Sequence, residues 1–278
     1  MDAQDVLRHH LNVLREGATA EQLQAISAIQ RELRESPATA AAAFGLERPA
    51  SLRALLEALY ADSDRVRERA AQTALQVVAL LPCIDAVAER LIALLYERAG
   101  AHDLEGVAGL PEPMRPAPSK LPCRVRAAVE PCEEVRLLLL RLLQAVLARA
   151  GGPTLCALAA EIVAVLCAFA MDGCSAVQIA ACEALEQLCR AESVPLEGFA
   201  ERATRALLLP LSSRKTRQTC AALSALAELL PRAGRRRVAV LEVLSGFSDP
   251  NSVPVRDFYE ASLAVNYLAL LLESGSAA

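Results

Sequence analysis

The side chains that could carry acid, base or nucleophilic chemistry are few in this sequence. Histidine occurs at three positions, His9, His10 and His102, of which two are adjacent near the start and the third lies in a stretch rich in Pro and Gly. A catalytic triad needs a histidine base that neighbouring elements place beside a nucleophile. Because the sequence supports no such arrangement, we interpret the three histidines as solvent-exposed. No G-x-x-x-x-G-K-[ST], G-x-G-x-x-G or G-x-S-x-G motif occurs. We therefore predict no catalytic residue, no cofactor and no enzymatic activity.

Nine cysteines lie at positions 83, 123, 132, 156, 167, 174, 182, 189 and 220, and no two of them form C-x-x-C. Zinc sites use cysteine pairs at such short spacings. Cys167, Cys174, Cys182 and Cys189 instead follow one another at seven or eight residues, which on helices corresponds to an inward stripe. The pattern predicts reduced thiols in a core and no metal site.

Basic residues form the sharpest polar clusters. Both clusters open predicted helices, and we place both near loops at one edge of the fold; they are Arg214, Lys215 and Arg217, and Arg235, Arg236 and Arg237. Runs of charge are usually solvated helix ends. Basic residues at a helix N-terminus oppose the macrodipole, however, which favours contact with an acidic partner. Both interpretations stay open at this point.

Composition restricts the class of protein and its partners. The net charge is −4 at pH 7, which gives no overall positive field to attract nucleic acid or anionic membranes. The chain is 54% hydrophobic with 3% aromatic residues and no Trp, and its many Ala and Leu residues favour helices. The acidic and polar start, Met1 to Asp5, differs from a signal peptide, so a cytoplasmic location is expected. The apolar stretch from Leu155 to Met171 contains Glu161 and is predicted to be a buried helix instead of a membrane span.

A period of about 40 residues is the strongest organising signal, because two helices per period characterise solenoid repeats. We place the first buried residue of each second helix at Leu23, Val66, Val135, Val177, Thr216 and Val255. The successive gaps are 43, 69, 42, 39 and 39 residues. The predicted fold is all-α, a right-handed α-solenoid of about six HEAT-type helix pairs that forms an armadillo-like superhelix.

The single long gap is explained by residues 99–131, which contain six prolines and three glycines. We predict one array over 1–278, interrupted at 99–131 by a disordered insertion. Apolar residues at helical spacing, together with Gly and Pro residues that end helices, predict helices over 2–15, 20–34, 51–61, 63–81, 84–98, 132–149, 154–171, 175–190, 195–209, 213–230, 235–246 and 254–273.

One position recurs directly after the second-helix anchor. It is occupied by Arg67, Arg136, Gln178, Arg217 and Arg256, which makes these residues candidates for a partner-binding face. The other interpretation is a structural ladder of side-chain bonds to neighbouring turns, with Asp172 and Asp249 as acidic members.

The repeat length and the recurrent Val-Arg resemble HEAT-repeat proteins over most of the chain. A narrower resemblance lies between Leu241 and Leu270, where LSGFSDPNSVPVRDFYE and VNYLA are similar to a repeat of the dynein axonemal assembly factor 5 family. The segment EEVRLLLLRLL at 133–143 resembles the same family. The resemblance implies a cytoplasmic scaffold for preassembly of axonemal dynein arms, with dynein chains and chaperone-linked assembly factors as partners.

The chain departs from that family in length, since family members have a longer array. No polar capping repeat follows the last apolar helix, so its leucines could mediate association. Three other functions stay open: an importin-like or tubulin-binding HEAT adaptor, another helical-repeat regulatory scaffold, and an enzyme with a helical fold. The lack of Trp counts against a transport adaptor.

Overall fold

A computed structural model describes residues 3–38, 44, 49–101 and 130–248 of the chain. Regular structure in these ranges consists of α-helices and short 3-10 turns, with no strand in the part of the chain that is described. The all-α prediction is confirmed. The predicted helix over 254–273 lies outside the described residues.

The described residues form two compact units, of which the first lies within Met1–Leu94 and Cys132–Gly151. The helices of this unit are α1 (Ala3–Glu16), α2 (Thr19–Glu35), α3 (Pro49–Glu57, continued by the 3-10 turn Ala58–Tyr60), α4 (Asp64–Leu80), α5 (Asp85–Arg98, as far as Leu94) and α6 (Glu133–Arg149). Helix α1 packs on α2 and α3, while α2 packs on α4 and α4 packs on α6, so first and second helices of successive pairs form two layers.

The second unit lies within Leu95–Pro131 and Gly152–Ala278 and repeats the same arrangement. Its helices after the end of α5 are α7 (Gly152–Ala157), α8 (Ala159–Ala170), α9 (Ser175–Arg190), α10 (Ala200–Leu211), α11 (Thr216–Arg232) and α12 (Arg237–Ser248), with 3-10 turns at Glu197–Phe199 and Gly234–Arg236. Helix α8 packs on α9 and α10, α9 packs on α11, and α10 packs on α11 and α12.

Small side chains let α9 and α11 approach closely. The repeat pattern predicts packed positions at Ala180, Ala181, Ala184, Ala221, Ala222 and Ala225. Five of these alanines are buried, and only Ala221 is half-buried. Alanine leaves little side chain between two helix axes, which permits close packing. This result supports the pairing of the second helices along the array.

The apolar stretch predicted as one helix over 154–171 is divided into α7 and α8. Leu158 between them has φ −102° and ψ 11°, which interrupts the helical backbone. From Ile162 to Ala170 every residue of α8 is buried, so this helix is surrounded by protein. None of the helices in the described ranges is long and apolar enough to span a bilayer.

The repeat register in α11 differs from the prediction. Thr216, which we placed at the buried anchor, is exposed, and Gln218 is buried in its place. Val177 of α9 therefore corresponds to Gln218, a separation of 41 residues instead of 39. The buried pairs Ala181 and Ala222, and Leu188 and Leu229, keep the same separation. A polar anchor cannot be recognised by hydrophobic periodicity, which explains the error.

The two ends of the predicted insertion 99–131 belong to the folded second unit. Gly100 has φ 65° and ends α5, because the N–H of Ala101 bonds Tyr96 O at 3.0 Å and that of Gly100 bonds Glu97 O at 3.0 Å. Only glycine adopts this backbone conformation without strain, and the two bonds satisfy carbonyls at the helix end. Residues 102–129 lie outside the described residues.

A buried ion pair joins these two ends. The guanidinium of Arg98 donates to the carboxylate of Glu130, whose side chain is fully buried. The N–H of Glu130 also donates to Arg98 O at 3.3 Å. Arg98, just before the predicted insertion, and Glu130, near its end, are therefore held beside each other.

The predicted core position of the cysteines is confirmed for Cys167, Cys182 and Cys189, which are buried free thiols. It is wrong for three others, because Cys83, Cys156 and Cys220 are exposed. Cys174 is half-buried before the first turn of α9, and Cys123 lies outside the described residues. Burial raises the pKa of Cys167, Cys182 and Cys189 to about 12 in each case.

We expect the buried thiols and the exposed thiols to differ in reactivity. Thiolate is the reactive form, and a thiol of pKa about 12 is ionised to about 1 part in 10⁴ at pH 8. Ellman's reagent should therefore modify Cys220 rapidly in the folded protein and modify Cys182 only after denaturation. Cys220→Ser should remove one equivalent from the rapid phase, whereas Cys182→Ser should remove none. A rapid phase that shrinks in Cys182→Ser would contradict the buried position of this thiol.

Candidate functional site

The second helices of the second unit expose a polar stripe, which we call the second-helix face. Its members recur three to seven residues apart on the side of α9 and α11 that points away from the core. The exposed members are Ala176, Glu183 and Arg190 of α9 and Arg217, Cys220 and Ser224 of α11. Arg190 connects the two helices, since it pairs with Glu186 on its own helix and with Glu228 of α11 at 3.2 Å.

A ladder of buried and half-buried polar side chains lies below the exposed residues of the second helices. Arg67 donates to the carbonyls of Ala61 at 2.9 Å and Asp62 at 2.8 Å. Gln178 donates to the carbonyl of Asp172 at 2.5 Å, and Thr219 donates to that of Ser213 at 2.9 Å. These bonds reach five or six residues back along the chain and hold the loop that precedes the second helix.

Two of the candidate partner-binding residues, Arg67 and Gln178, belong to this ladder. Arg67 is 7% exposed and Gln178 is 6% exposed, and both bond loop carbonyls. The expected structural ladder is therefore present at these positions, but its acceptors are backbone carbonyls instead of acidic side chains. Gln218 also donates to Gln178, which links α11 to α9. Two buried amides matched in this way avoid the cost of unsatisfied polar groups.

The other members of the predicted recurrent position differ from one another. Arg136 on α6 is half-buried, whereas Arg217 is exposed because Thr219 occupies the ladder position of α11. Asp172 is buried, and its carboxylate accepts from the N–H of Cys174 at 2.7 Å. Arg256 and Asp249 lie outside the described residues.

The first basic cluster lies where α11 begins, and we call it the basic edge: Arg214, Lys215 and Arg217, all exposed. The ammonium of Lys215 donates to the hydroxyl of Ser175, the first residue of α9, at 2.6 Å. Within the described ranges, Lys215 and Arg217 have no carboxylate at ion-pair distance. The first turns of α9 and α11 also contain no acidic residue. The charges of Lys215 and Arg217 are therefore not paired with a carboxylate of the described residues.

The second basic cluster lies at the other end of α11, which corrects the prediction that both clusters share one edge. Helix α11 has 17 residues, so its two ends are about 25 Å apart at 1.5 Å per residue. Arg235 and Arg236 are exposed and Arg237 is half-buried. The carboxylate of Glu197 lies at this turn and accepts from the N–H of Arg235 at 2.9 Å. The carboxylate of Glu197 therefore supplies negative charge beside the second basic cluster.

Sequence reasoning missed an arginine contact between second helices. Arg232 in the last turn of α11 donates to the carbonyls of Cys189, Ala191, Glu192 and Val194, at 2.6 to 3.3 Å, at the end of α9. In the first unit, Arg149 donates to the carbonyls of Val78 and Leu81 at the end of α4. A cation at these C-terminal carbonyls is favoured by their partial negative charge.

A common position identifies these two arginines as equivalent. Arg149 lies 14 residues after Val135, and Arg232 lies 14 residues after Gln218. The sequence signal is therefore a recurrent arginine in the last turn of second helices, which appears only when Gln218 is used as the anchor.

The described histidines lie together on α1. His9 is exposed, His10 is half-buried, and their ring centres are 5.5 Å apart. Burial, followed by the nearby positive charges of His9 and Arg31, lowers the pKa of His10 from its ordinary value. His102 lies outside the described residues. Within the described ranges there is no group of three or more His, Cys, Asp or Glu side chains that could hold a metal.

Comparison with known proteins identifies the fold and no family. No family model matches the chain, and no curated protein does. An engineered protein of a structural genomics consortium is similar in structure, with a TM-score of 0.52, 19% identity, and 98% of each chain covered. A designed armadillo repeat protein in complex with the peptide (KR)4 has a TM-score of 0.50 and 13% identity, with 96% of this chain and 99% of that chain covered. These similarities confirm the predicted helical-repeat solenoid class. The handedness and the number of six pairs stay predictions.

Proposed function

We propose that this protein is a non-enzymatic scaffold that binds other proteins through its second helices. The observation that carries the proposal is the second-helix face, an exposed polar stripe supported from below by the buried Gln178 and Gln218 amides. Helical-repeat proteins bind extended partners on such surfaces, because successive repeats place similar positions at regular intervals. The designed armadillo neighbour was solved with a bound peptide, which supports protein partners in general.

A charge reversal on the second-helix face tests this proposal. Glu183 of α9 and Glu161 of α8 are both exposed, but Glu183 lies on a second helix and Glu161 on a first helix. We expect Glu183→Arg to reduce partner capture at least about fivefold, since contacts of a solenoid are distributed along this face. Glu161→Arg makes the same change of charge and should leave capture unchanged.

The measurement is quantitative capture from a ciliated-cell extract, with thermal unfolding of both variants as the control for folding. Equal losses in the two variants would contradict the assignment of the binding face. Loss of capture together with a lower Tm for Glu183→Arg alone would also contradict it, because the side chain would then be structural.

We further propose that the partners belong to axonemal dynein assembly, in the cytoplasm. Support comes from the resemblance of residues 241–270 and 133–143 to the dynein axonemal assembly factor 5 family. Affinity purification of the full chain from ciliated cells should recover dynein chains together with chaperone-linked assembly factors. Recovery of transport cargo or tubulin in their place would reject this role and favour an importin-like or tubulin-binding adaptor.

A further inference from the structure

We infer that exposed arginines on the second helices of the first unit bind an extended, proline-rich acidic segment of a partner protein. We call these side chains the arginine row: Arg31 of α2, Arg65 and Arg69 of α4, and Arg141 of α6. The inference rests on the proposed scaffold function and names the chemistry of one partner segment. It concerns the first unit alone, whereas the second-helix face belongs to the second unit.

The repeat places two of these arginines at equivalent positions of the first and third helices in the row. Helix α2 packs on α4, and α4 packs on α6. Arg31 lies six residues after the buried Ala25, and Arg141 lies six residues after the buried Val135. Both arginines are exposed, so they lie on the side of their helices that points away from the core.

Helix α4, between these two helices, contributes a pair of arginines. The position that corresponds to the other two arginines is Gln72, six residues after the buried Val66. Arg69 and Arg65 precede Gln72 by three and seven residues, and such spacings lie on one face of a helix. Each of the three packed helices therefore contributes positive charge to the row.

The guanidinium groups of the arginine row have no carboxylate at ion-pair distance among the described residues. Acidic side chains of α4 and α6 have contacts of their own. Glu68 accepts from the amide of Gln72 at 2.9 Å, and Asp64 accepts from the backbone N–H of the next residue at 3.1 Å. Glu134 accepts from the thiol of Cys132 at 3.1 Å. A carboxylate of another chain could therefore pair with the row without displacing an intramolecular ion pair.

The chemistry of the three helices favours an acidic protein segment over nucleic acid. A guanidinium group forms two parallel hydrogen bonds to one carboxylate. Helices α2, α4 and α6 contain no Phe, Tyr, Trp or His, so they offer no aromatic ring on which bases could stack. The net charge of −4 also opposes long-range attraction of a polyanion such as DNA.

The spacing of the row determines the kind of acidic segment. Packed helices lie about 8–10 Å apart, so positive charge recurs at about this distance across the unit. A polyproline II segment has three residues per turn and rises about 3.1 Å per residue. Acidic residues at every third position therefore lie on one side of such a segment, about 9 Å apart. Proline also holds the segment in this conformation before binding, which lowers the entropy cost of association.

The experiment measures binding of a fluorescein-labelled peptide of four Glu-Pro-Pro triplets to the full chain by fluorescence anisotropy. A second peptide has the same composition, but its glutamates are consecutive. We expect the triplet peptide to bind at least about fivefold more tightly than the second peptide, because only its carboxylates have the spacing of the row. Higher salt should weaken its binding.

Arg69→Gln/Arg141→Gln should weaken binding of the triplet peptide at least about tenfold, because two guanidinium groups that pair with carboxylates are removed. The matched control is Arg53→Gln/Arg90→Gln, which changes the net charge equally at exposed positions of the first helices α3 and α5. A purely long-range effect of net charge would act on both variants alike, whereas we expect unchanged binding in the control. Circular dichroism should give the same helix content for all three proteins.

Four outcomes would overturn the inference: no binding to the unaltered chain, equal affinity for the two peptides, equal weakening in the two variants, or tighter binding of an oligothymidylate than of the triplet peptide. Partner capture through Glu183 is a separate measurement. If capture persists while the triplet peptide fails to bind, the scaffold function stands and only the acidic segment is rejected. If neither is observed, both proposals fail.

Discussion

Glu130→Ala should lower the free energy of unfolding by about 3–5 kcal/mol. Glu130 is fully buried, and its carboxylate accepts from Arg98, whose side chain is 10% exposed. Removal of one member leaves the other charge in the interior without its counter-ion, which costs more than the pair contributes when intact. Urea denaturation followed by circular dichroism measures the change.

The appropriate control is Glu201→Ala, which removes a half-exposed carboxylate from an i,i+4 pair with Arg205 at 2.9 Å. Solvent screens that pair, so we expect a loss below about 0.5 kcal/mol. The double replacement Arg98→Met/Glu130→Leu should recover much of the lost stability, because well-packed apolar side chains often replace buried ion pairs without loss. Equal effects of Glu130→Ala and Glu201→Ala would show that the Arg98 pair is solvated.

Arg232→Ala should destabilise the second unit by about 2–3 kcal/mol. Its guanidinium bonds four carbonyls at the end of α9, and hydrogen bonds to charged groups contribute more than neutral ones. Loss of the side chain leaves these carbonyls to water or to no partner. We expect faster amide hydrogen exchange at the end of α9 before other parts of the unit are affected.

Lysine is the informative second variant at this position. An ammonium is a compact charge on a flexible stem and cannot reach several separated carbonyls as a planar guanidinium does, so Arg232→Lys should recover less than half of the loss. Arg236→Ala, at an exposed position nearby, should change stability by less than about 0.5 kcal/mol. If Arg232→Ala and Arg236→Ala behave alike, the four carbonyl bonds contribute nothing measurable.

Helix positions were predictable because local pattern determines them. The range 175–190 is that of α9 as observed, and most other boundaries differ by one or two residues. The break at Leu158 was not predictable, since the residues on both sides are apolar and the stretch contains no stop signal before Met171. Periodicity records which residues are buried, and a backbone break at one residue within an apolar stretch leaves no trace in it.

The arrangement of the candidate site depends on tertiary structure to a greater extent than the helix positions do. The sequence by itself determined the helical repeat, the buried alanines and the two clusters of basic residues, because each follows from local composition and period. Only the fold decided that the clusters lie at opposite ends of α11, that Gln178 is buried while Arg217 is exposed, and that Arg232 closes the end of α9. These properties arise from contacts between residues about 40 positions apart, and a polar side chain such as Gln218 gives no hydrophobic signal of its burial.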